Sequence, residues 1–328
     1  MATLGLIGAN RHIFRQGKVL AALAGSALDV GMRRAGWRLP QPLVLPGPEQ
    51  VARVPAPCAA LVRDYLRHLG GDAAAHRGRV PAHLFPHWVL PVAAATLRGL
   101  PFDLVRVVNA GCRLRMHAPL RLGETFTVRA RLVAAEDDGR RVRLTQHIVT
   151  GTSGHPTALE VELYTQVPSA APAPARSRCP APVAASSRPD RPRVPQGARE
   201  IAFWRLAGDA GWVFATLTGD FNPVHWIRPY ARAAGWRGTI LHGFATLARA
   251  MEGLGRARFG GDQEELFEVD VRFTKPLVLP ARVGLFLEQD GFFVGEGPGG
   301  PAYLVGTFST RAAFRAYGAA FALEGTSA

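Results

Sequence analysis

The sequence predicts an α+β fold made of two similar halves, each with a buried helix and a series of antiparallel strands. A repeated strand pattern is the first observation behind this prediction. Residues 114–122 align without gaps on residues 271–279, and in both segments an alternation of apolar residues is broken by a proline. Upstream of each segment, a histidine precedes an apolar stretch at helical spacing, over 87–100 and 242–254. An internal duplication is the simplest explanation of this repetition.

The order of elements can be predicted within each half. The second helix has one apolar stripe, which is expected to face the core. Its members are Phe244, Leu247, Ala248, Met251 and Leu254. Alternating β-branched and aromatic residues, separated by Pro and Gly turns, predict strands over 268–273, 282–288, 291–295 and 302–310, with a hairpin tip at 295–300. The first half repeats the plan with strands over 105–115, 124–134, 140–150 and 157–167. A helix wrapped by antiparallel strands is an α+β arrangement.

The length of 328 residues favours two domains. One segment, 167–196, is dense in Pro, Ala, Ser and Arg and lacks apolar periodicity, which is typical of an extended linker. We therefore expect an N-terminal extension over 1–45, a first domain over 46–166, a linker over 167–197 and a second domain over 198–328. The Arg-rich helical stretch over 10–37 is expected to pack onto the body of the protein rather than lie on a membrane.

Composition narrows the possible partners. The chain has 39 Lys+Arg against 25 Asp+Glu, a net charge of +14, but its basic clusters are short and lack interleaved aromatic residues, which argues against nucleic acid. An anionic substrate carrier would profit from the same positive field. The cysteines Cys58, Cys112 and Cys179 are far apart and form no C-x-x-C pair, which favours a reducing cytoplasm. No apolar run reaches the ~18 residues of a membrane span, so we expect no stable membrane insertion.

The string Thr-Gly-Asp-Phe-Asn-Pro-Val-His in the second half carries the chemistry. Gly219 and Pro223 bracket a rigid loop, and a bent loop can aim Asp220 and His225 at one point, with Asn222 between them. A carboxylate and an imidazole that converge on a water are what general acid and base catalysis needs. A structural alternative stays open, since Asp and Asn are also preferred helix caps.

The start of the second helix supplies the other part of the predicted site. Unpaired amides at a helix N-terminus carry partial positive charge, so the N–H of Gly243 can hold the oxygen of a thioester carbonyl as it becomes an enolate. Glycine at this position is expected to let the ligand approach closely. We interpret His242 as a buried, hydrogen-bonded histidine that supports the site rather than as a catalyst.

These residues resemble the signature of a known family. The string over 218–225, followed by His242-Gly243, is similar to that of the (R)-specific enoyl-CoA hydratases, the MaoC-like members of the hot-dog superfamily. This resemblance covers about 198–310. The first half, with Phe-Pro-His over 85–87, resembles the degenerate first domain of double hot-dog hydratases and of mycobacterial (3R)-hydroxyacyl-ACP dehydratases. The resemblance implies a double hot-dog fold, in which an antiparallel sheet wraps a central helix in each half.

The resemblance also implies roles for residues. Asp220 and His225 would activate the water that adds to C3 of a trans-2-enoyl thioester, carried on coenzyme A or acyl carrier protein, and the Gly243 amide would form the oxyanion site. Asn222 and Pro223 would shape the loop. No metal and no redox cofactor is expected, and a homodimer is compatible with the family. Two alternatives stay open: a hot-dog acyl-thioesterase, and a non-catalytic protein that binds acyl thioesters.

The first half is expected to lack a catalytic site. If His87 corresponds to His242, the catalytic loop should fall at 65–70, which holds neither the acid nor the Asn-Pro pair. A nearby Gly-Asp-x-x-x-His string that ends at His76 has the wrong spacing. His83 and His87 have the spacing of metal ligands, but the proline between them breaks the helix that this spacing requires. One active site per chain follows.

Overall fold

The structure, a computed structural model, describes residues 10–17, 39–102, 107–169 and 191–316, together with residues 21, 25, 28, 31, 32 and 35–37. Most of the predicted linker, 170–190, lies outside the described residues, as does the end of the chain, 317–328. The division of the chain into domains stays a prediction.

The first half contains two helices and seven strands among the described residues. In chain order they are β1 (Gln50–Pro55), α1 (Ala59–Leu69), β2 (Arg79–Val80), α2 (Pro86–Thr96), β3 (Val108–Met116), β4 (Leu120–Arg121), β5 (Thr125–Asp137), β6 (Arg141–Gly151) and β7 (Leu159–Pro168). A short 3₁₀ turn, Ala82–Leu84, precedes α2.

The second half contains β8 (Arg199–Leu206), α3 (Ala210–Thr218), α4 (Arg228–Ala233), α5 (Gly243–Phe259), β9 (Leu266–Phe273), β10 (Ala281–Glu288), β11 (Gly291–Gly295) and β12 (Ala302–Thr310). A 3₁₀ turn, Pro223–His225, lies between α3 and α4.

Ten strands form one antiparallel sheet, in the order β1-β5-β6-β7-β3-β9-β12-β11-β10-β8. The order of the second half, read outward from β9, repeats that of the first half, read outward from β3. The helices of both halves share one hydrophobic core with the sheet. The predicted α+β arrangement of two similar halves is confirmed.

The two halves meet where β3 pairs with β9. Cys112 lies opposite Val271 and Leu114 lies opposite Val269 in this register, and all four side chains are buried. The intervening residues face the other side of the sheet. There Arg113 forms an ion pair with Asp270 at 2.8 Å. Apolar side chains on one face and charged ones on the other are expected where one face of a sheet is solvated.

The ion pairs across this junction form a short ladder. Arg115 lies opposite Glu268, and its Nε is 2.6 Å from a carboxylate oxygen of that residue. Arg113 and Asp270 face each other in the same way. Opposite charges directly across a strand pair stabilise the pairing, and like charges would oppose it. The charges therefore favour the same register as the buried side chains.

Helix α5 is longer and more deeply buried than the sequence predicted. It continues to Phe259 and ends where Gly260 adopts a left-handed conformation with φ 58°. Residues 244–255 are all buried, including the polar Arg249 and Glu252. The predicted apolar stripe is part of this surface, but the helix buries all of its sides. Among the described residues, no helix is both long enough and apolar enough to cross a bilayer.

Most predicted strands are confirmed with small shifts of their ends. Strands β11 and β12 match the predicted bounds, and the predicted hairpin tip joins them. The elements that were missed are the strands β1, β2 and β8 and the helices α1, α3 and α4.

Residues 10–17 pack onto the first helix of each half. Gln16 is buried and donates from Nε2 to the Thr216 carbonyl at 3.1 Å. Trp212 donates to the Asn10 side-chain oxygen at 3.0 Å, and His12 Nε2 lies 2.8 Å from a carboxylate oxygen of Asp64. The prediction that the N-terminal extension packs onto the body is confirmed for these residues.

The burial of α5 gives a stability prediction. Leu247 is fully buried in the shared core, so Leu247→Ala should lower the free energy of unfolding by about 2–5 kcal/mol. The matched control is Leu39→Ala, because Leu39 is 84% exposed, and its effect should stay within about 0.5 kcal/mol. Urea unfolding followed by circular dichroism measures both. Equal effects of the two substitutions would contradict the placement of α5 in the core.

Candidate active site

The predicted catalytic loop begins where α3 ends. Gly219 caps that helix in a left-handed conformation with φ 87°, which glycine adopts without steric cost. Asn222 then accepts a hydrogen bond from the Val224 N–H at 3.3 Å, and Pro223 opens the 3₁₀ turn that carries His225. Asn222 therefore caps a turn in this structure, in agreement with the predicted loop-shaping role of the Asn-Pro pair.

The loop and the start of α5 bring three titratable side chains together. Asp220, His225 and His242 each offer a ligand atom within 4.8 Å of the others. The rings of His225 and His242 stack with centroids 3.6 Å apart. His242 Nε2 is 2.9 Å from the Asp220 carbonyl oxygen and 4.0 Å from a carboxylate oxygen of the same residue. The structure thus places the predicted acid and base beside the predicted supporting histidine.

Hydrogen bonds to backbone carbonyls orient both imidazole rings. A carbonyl oxygen only accepts, so His225 Nδ1, which is 2.8 Å from the Ile240 oxygen, carries a proton. When the ring is neutral, its Nε2 keeps a free electron pair. By the same argument His242 donates from Nε2 to the Asp220 carbonyl, and its buried Nδ1 has no hydrogen-bond partner among the described residues.

Burial sets the protonation state of these rings. It lowers the pKa of His225 below its usual value, although the negative charge of Asp220 and the hydrogen bond to Ile240 act in the opposite direction. It also lowers the pKa of His242 well below its usual value, and proximity to His225 adds to this effect. Both rings are therefore neutral at pH 7, and His225 Nε2 is able to accept a proton.

Gly243 is the first residue of α5, and its N–H has no partner within the helix. This agrees with the predicted oxyanion site. Packing also requires glycine here, because a Cβ at this position would lie 2.6 Å from the ring of Phe273. Packing against Phe273 is therefore sufficient to explain why the residue is glycine.

The region of the first half that was predicted to correspond to this site is arranged differently. The expected loop region, 65–70, belongs largely to α1, and the N-cap of α2 is Phe85, whereas His87 lies inside the helix. Burial lowers the pKa of His87 to about 4, against the effect of a hydrogen bond to the Thr218 backbone. The correspondence between His87 and His242 is wrong, because only His242 occupies the cap position.

The structure contains a second buried cluster that the sequence did not predict. His76, which follows α1, and His83, which precedes α2, both contact Glu252 of helix α5. Burial alone would raise the pKa of Glu252, but hydrogen bonds from the two histidines hold it at about 2. The one local signal that could have pointed to this cluster is a carboxylate, Glu252, among the buried residues of α5. A cavity of about 70 Å³ adjoins His76 and His83 and does not include Asp220, His225 or Gly243.

Comparisons with known sequences match part of the chain. Residues 186–295, which contain the whole predicted site, match the model of the family described as MaoC like domain. Over 67 residues the chain is 40% identical to the fatty acid synthase beta subunit pkiC of Emericella nidulans, covering 20% of this chain and 4% of that protein. Over 79 residues it is 37% identical to 3-hydroxyacyl-thioester dehydratase X of Mycobacterium tuberculosis, covering 24% of this chain and 26% of that protein. The chain thus matches about a quarter or less of these curated relatives' length.

Solved structures match a larger part of the chain. The crystal structure of HtdX from Mycobacterium tuberculosis superposes with a TM-score of 0.61 at 21% identity, covering 79% of this chain and 99% of that one. Another protein from the same organism, described as having a double hotdog fold, superposes with a TM-score of 0.53 at 15% identity, covering 81% of this chain and 96% of that one. The predicted double hot-dog fold is confirmed.

The contact between Gly243 and Phe273 gives a prediction. Gly243→Ala should lower the free energy of unfolding by about 1–3 kcal/mol, because the new methyl group overpacks against the ring. The double variant Gly243→Ala/Phe273→Leu should regain stability relative to Gly243→Ala, since the smaller side chain frees the space. Thermal unfolding of the three proteins measures the effect, and an unchanged stability of Gly243→Ala would refute the packing argument.

Proposed function

We propose that this protein, whose residues 186–295 match the model of the family described as MaoC like domain, reversibly hydrates trans-2-enoyl thioesters to (R)-3-hydroxyacyl thioesters. The substrate would be carried on coenzyme A or on acyl carrier protein. The observation that carries the proposal is the meeting of the Asp220 carboxylate and the His225 imidazole beside the first amide of α5. The names of the two curated relatives, a fatty acid synthase subunit and a 3-hydroxyacyl-thioester dehydratase, support the same class of reaction.

In the proposed hydration, His225 acts as the base. Its Nδ1–H is held by the Ile240 carbonyl, so its Nε2 takes a proton from water as the water oxygen forms a bond to C3. The electron pair of the C2–C3 double bond moves toward the thioester oxygen and forms an enolate. The proton taken up by His225 is then returned to C2, the double bond to oxygen reforms, and the net change is the addition of one water with His225 neutral again.

Asp220 is proposed to accept a hydrogen bond from the second proton of the same water. Its side chain is 12% exposed, so it can reach a ligand while most of its surface is shielded. An ionised carboxylate accepts strong hydrogen bonds, and a water held between it and His225 would be fixed in position and orientation. In the dehydration direction the groups that accept and donate protons exchange roles, by microscopic reversibility.

The Gly243 N–H is proposed to stabilise the enolate oxygen. The amide is unpaired within the helix, and the N-terminus of α5 carries partial positive charge. A single donor of this kind typically contributes ~10²-fold or more to the rate. The addition of water changes no net oxidation state, so we propose that no redox cofactor takes part.

Removal of either proton-transfer group should abolish most of the activity. Asp220→Asn and His225→Ala are expected to lower turnover by ~10²- to 10⁴-fold, the usual contribution of acid and base groups, with circular dichroism unchanged. Loss of enoyl absorbance, measured over a chain-length series of enoyl-CoA substrates, reports hydration.

Asp262→Asn is the matched control. Asp262 is also a half-buried aspartate that caps a 3₁₀ turn, where it accepts from the Glu264 N–H at 3.0 Å, so its variant should keep full turnover. Full turnover of both site variants would refute the assignment. Release of free thiol from acyl-CoA, without loss of enoyl absorbance, would instead identify a thioesterase.

The pH dependence of hydration should report His225. The base must be neutral, and burial lowers the pKa of His225 from 6.5, so kcat/KM should fall with decreasing pH through a midpoint below 6.5. In Asp220→Asn the charge that raises this pKa is absent, so the midpoint should move to still lower pH. Initial rates across the pH range, with circular dichroism at each pH, provide the measurement. A midpoint above 6.5, or an upward shift in the variant, would contradict the role of His225.

A further inference from the structure

The second buried cluster consists of His76, His83 and Glu252, and we call it the His-His-Glu cluster. His76 Nε2 and His83 Nε2 lie 2.8 Å and 2.9 Å from the same carboxylate oxygen, Glu252 Oε1. The three side chains are only 5%, 1% and 6% exposed. Three ligand atoms of this kind within 4.8 Å of one another form a set that could hold a metal ion.

The cluster draws on both halves of the molecule. His76 and His83 belong to the segment between α1 and α2, whereas Glu252 lies on α5. Gly71 gives the carboxylate its space, because a Cβ there would lie 2.3 Å from Glu252 Oε2. The backbone is thus shaped around the carboxylate.

The hydrogen bonds of Tyr65 indicate which nitrogen of His83 carries a proton. Its hydroxyl is 2.9 Å from the His83 carbonyl oxygen and 3.1 Å from His83 Nδ1, and it has a single proton to donate. If a neutral His83 has its proton on Nε2, to reach Glu252, then Nδ1 and the carbonyl oxygen are two acceptors that compete for that one proton. One buried acceptor is then left without a donor, which costs free energy.

A metal ion on His83 Nε2 removes this conflict. The ring proton then lies on Nδ1 and is donated to the Tyr65 oxygen, while the Tyr65 proton is donated to the His83 carbonyl. Each polar atom of Tyr65 and His83 named here then has a partner. Metal-bound histidines in proteins are held in this way, with the other ring nitrogen donating to a neighbouring oxygen.

We propose that the His-His-Glu cluster binds a divalent transition-metal ion of the zinc class through His76 Nε2, His83 Nε2 and Glu252. Two imidazoles and one carboxylate are a ligand set that Zn²⁺ uses in proteins. In a tetrahedral site with bonds of about 2.0–2.1 Å, neighbouring ligand atoms are about 3.3 Å apart. The present separations of 2.8 and 2.9 Å would therefore widen by about 0.4–0.5 Å, a change that side-chain rotation can supply.

A cavity beside the cluster has room for a fourth ligand. His76 and His83 line this cavity of about 70 Å³, together with mostly apolar residues. A water molecule needs about 10–15 Å³ of such space, so there is room for a bound water and for a small ligand that replaces it. An ion at this position would tie the first half to helix α5 and would be open to ligands with an oxygen or nitrogen donor.

A second trio of the same residue types serves as an internal control. His117 and His147 contact the two carboxylate oxygens of Glu160 at 2.7 and 3.1 Å, but these side chains are between 24% and 37% exposed. The two histidines bind different oxygens of Glu160, so the three groups do not converge on one point. A surface trio that binds zinc weakly would be distinguished from the His-His-Glu cluster by Glu160→Gln.

The test is a zinc titration of the full chain after removal of metal with a chelator. Wild type should bind one equivalent of Zn²⁺ in competition with a chromophoric chelator, and Co²⁺ should give the visible absorption of a low-coordinate site. Glu252→Gln should weaken binding by more than about 100-fold, because it removes a ligand, and Tyr65→Phe by about 10- to 100-fold, because it removes the partner of a ligand. Glu160→Gln and Asp220→Asn should bind as wild type does.

Each other outcome would overturn the proposal. If wild type takes up no stoichiometric zinc, the cluster holds no ion and the proposal fails. Undiminished binding in Glu252→Gln, or its loss in Glu160→Gln or Asp220→Asn, would place the ion elsewhere. Should Glu252→Gln fail to fold, the wild-type titration and Tyr65→Phe still decide the matter.

Discussion

The antiparallel pairing of β3 with β9 is the interaction on which the rest of the structure depends. It joins the two halves into one sheet and places their central helices together, so that Phe85 at the start of α2 packs edge-on against Phe244 of α5, with ring centroids 5.2 Å apart. Partly exposed ion pairs such as those of this junction stabilise it little. Burial is the stronger constraint, because a slip of one residue would turn Leu114 and Val269 toward solvent.

The same local arrangement, a helix that ends at a left-handed glycine, occurs in both halves, but the residues that follow it differ in their chemistry. Both α1 and α3 end at a glycine in the left-handed conformation, Gly70 and Gly219. After α3 the chain brings an acid and a base to the first turn of α5. After α1 the chain brings His76 to a later turn of that same helix. The first half therefore completes a polar cluster with the central helix of the second half.

Most elements with a clear local sequence pattern were predicted from the sequence. Strands with clean alternation, such as β7, were found because buried and half-buried residues alternate along them. Helix α3 was missed because nearly all of its residues are buried, which leaves no apolar stripe to detect. The loop with Asp220 and His225 is contiguous in sequence and was predictable. Glu252 and its partners were not, because 169 and 176 residues separate them and only the fold brings them together.

Helix α5 carries residues of both the predicted active site and the His-His-Glu cluster, at different positions along its length. Gly243 and Glu252 lie nine residues apart on this helix, a distance of about 13 Å along its axis. Charges that far apart interact weakly through solvent. The part of α5 between Gly243 and Glu252 is buried on all sides. The two ends are also joined through aromatic rings, since Phe214 packs against both Tyr65 and His242, with ring centroids 6.1 and 4.9 Å apart. The polar groups at each end are held by partners close by, Ile240 for His225 and Tyr65 for His83, so that each site keeps its own geometry.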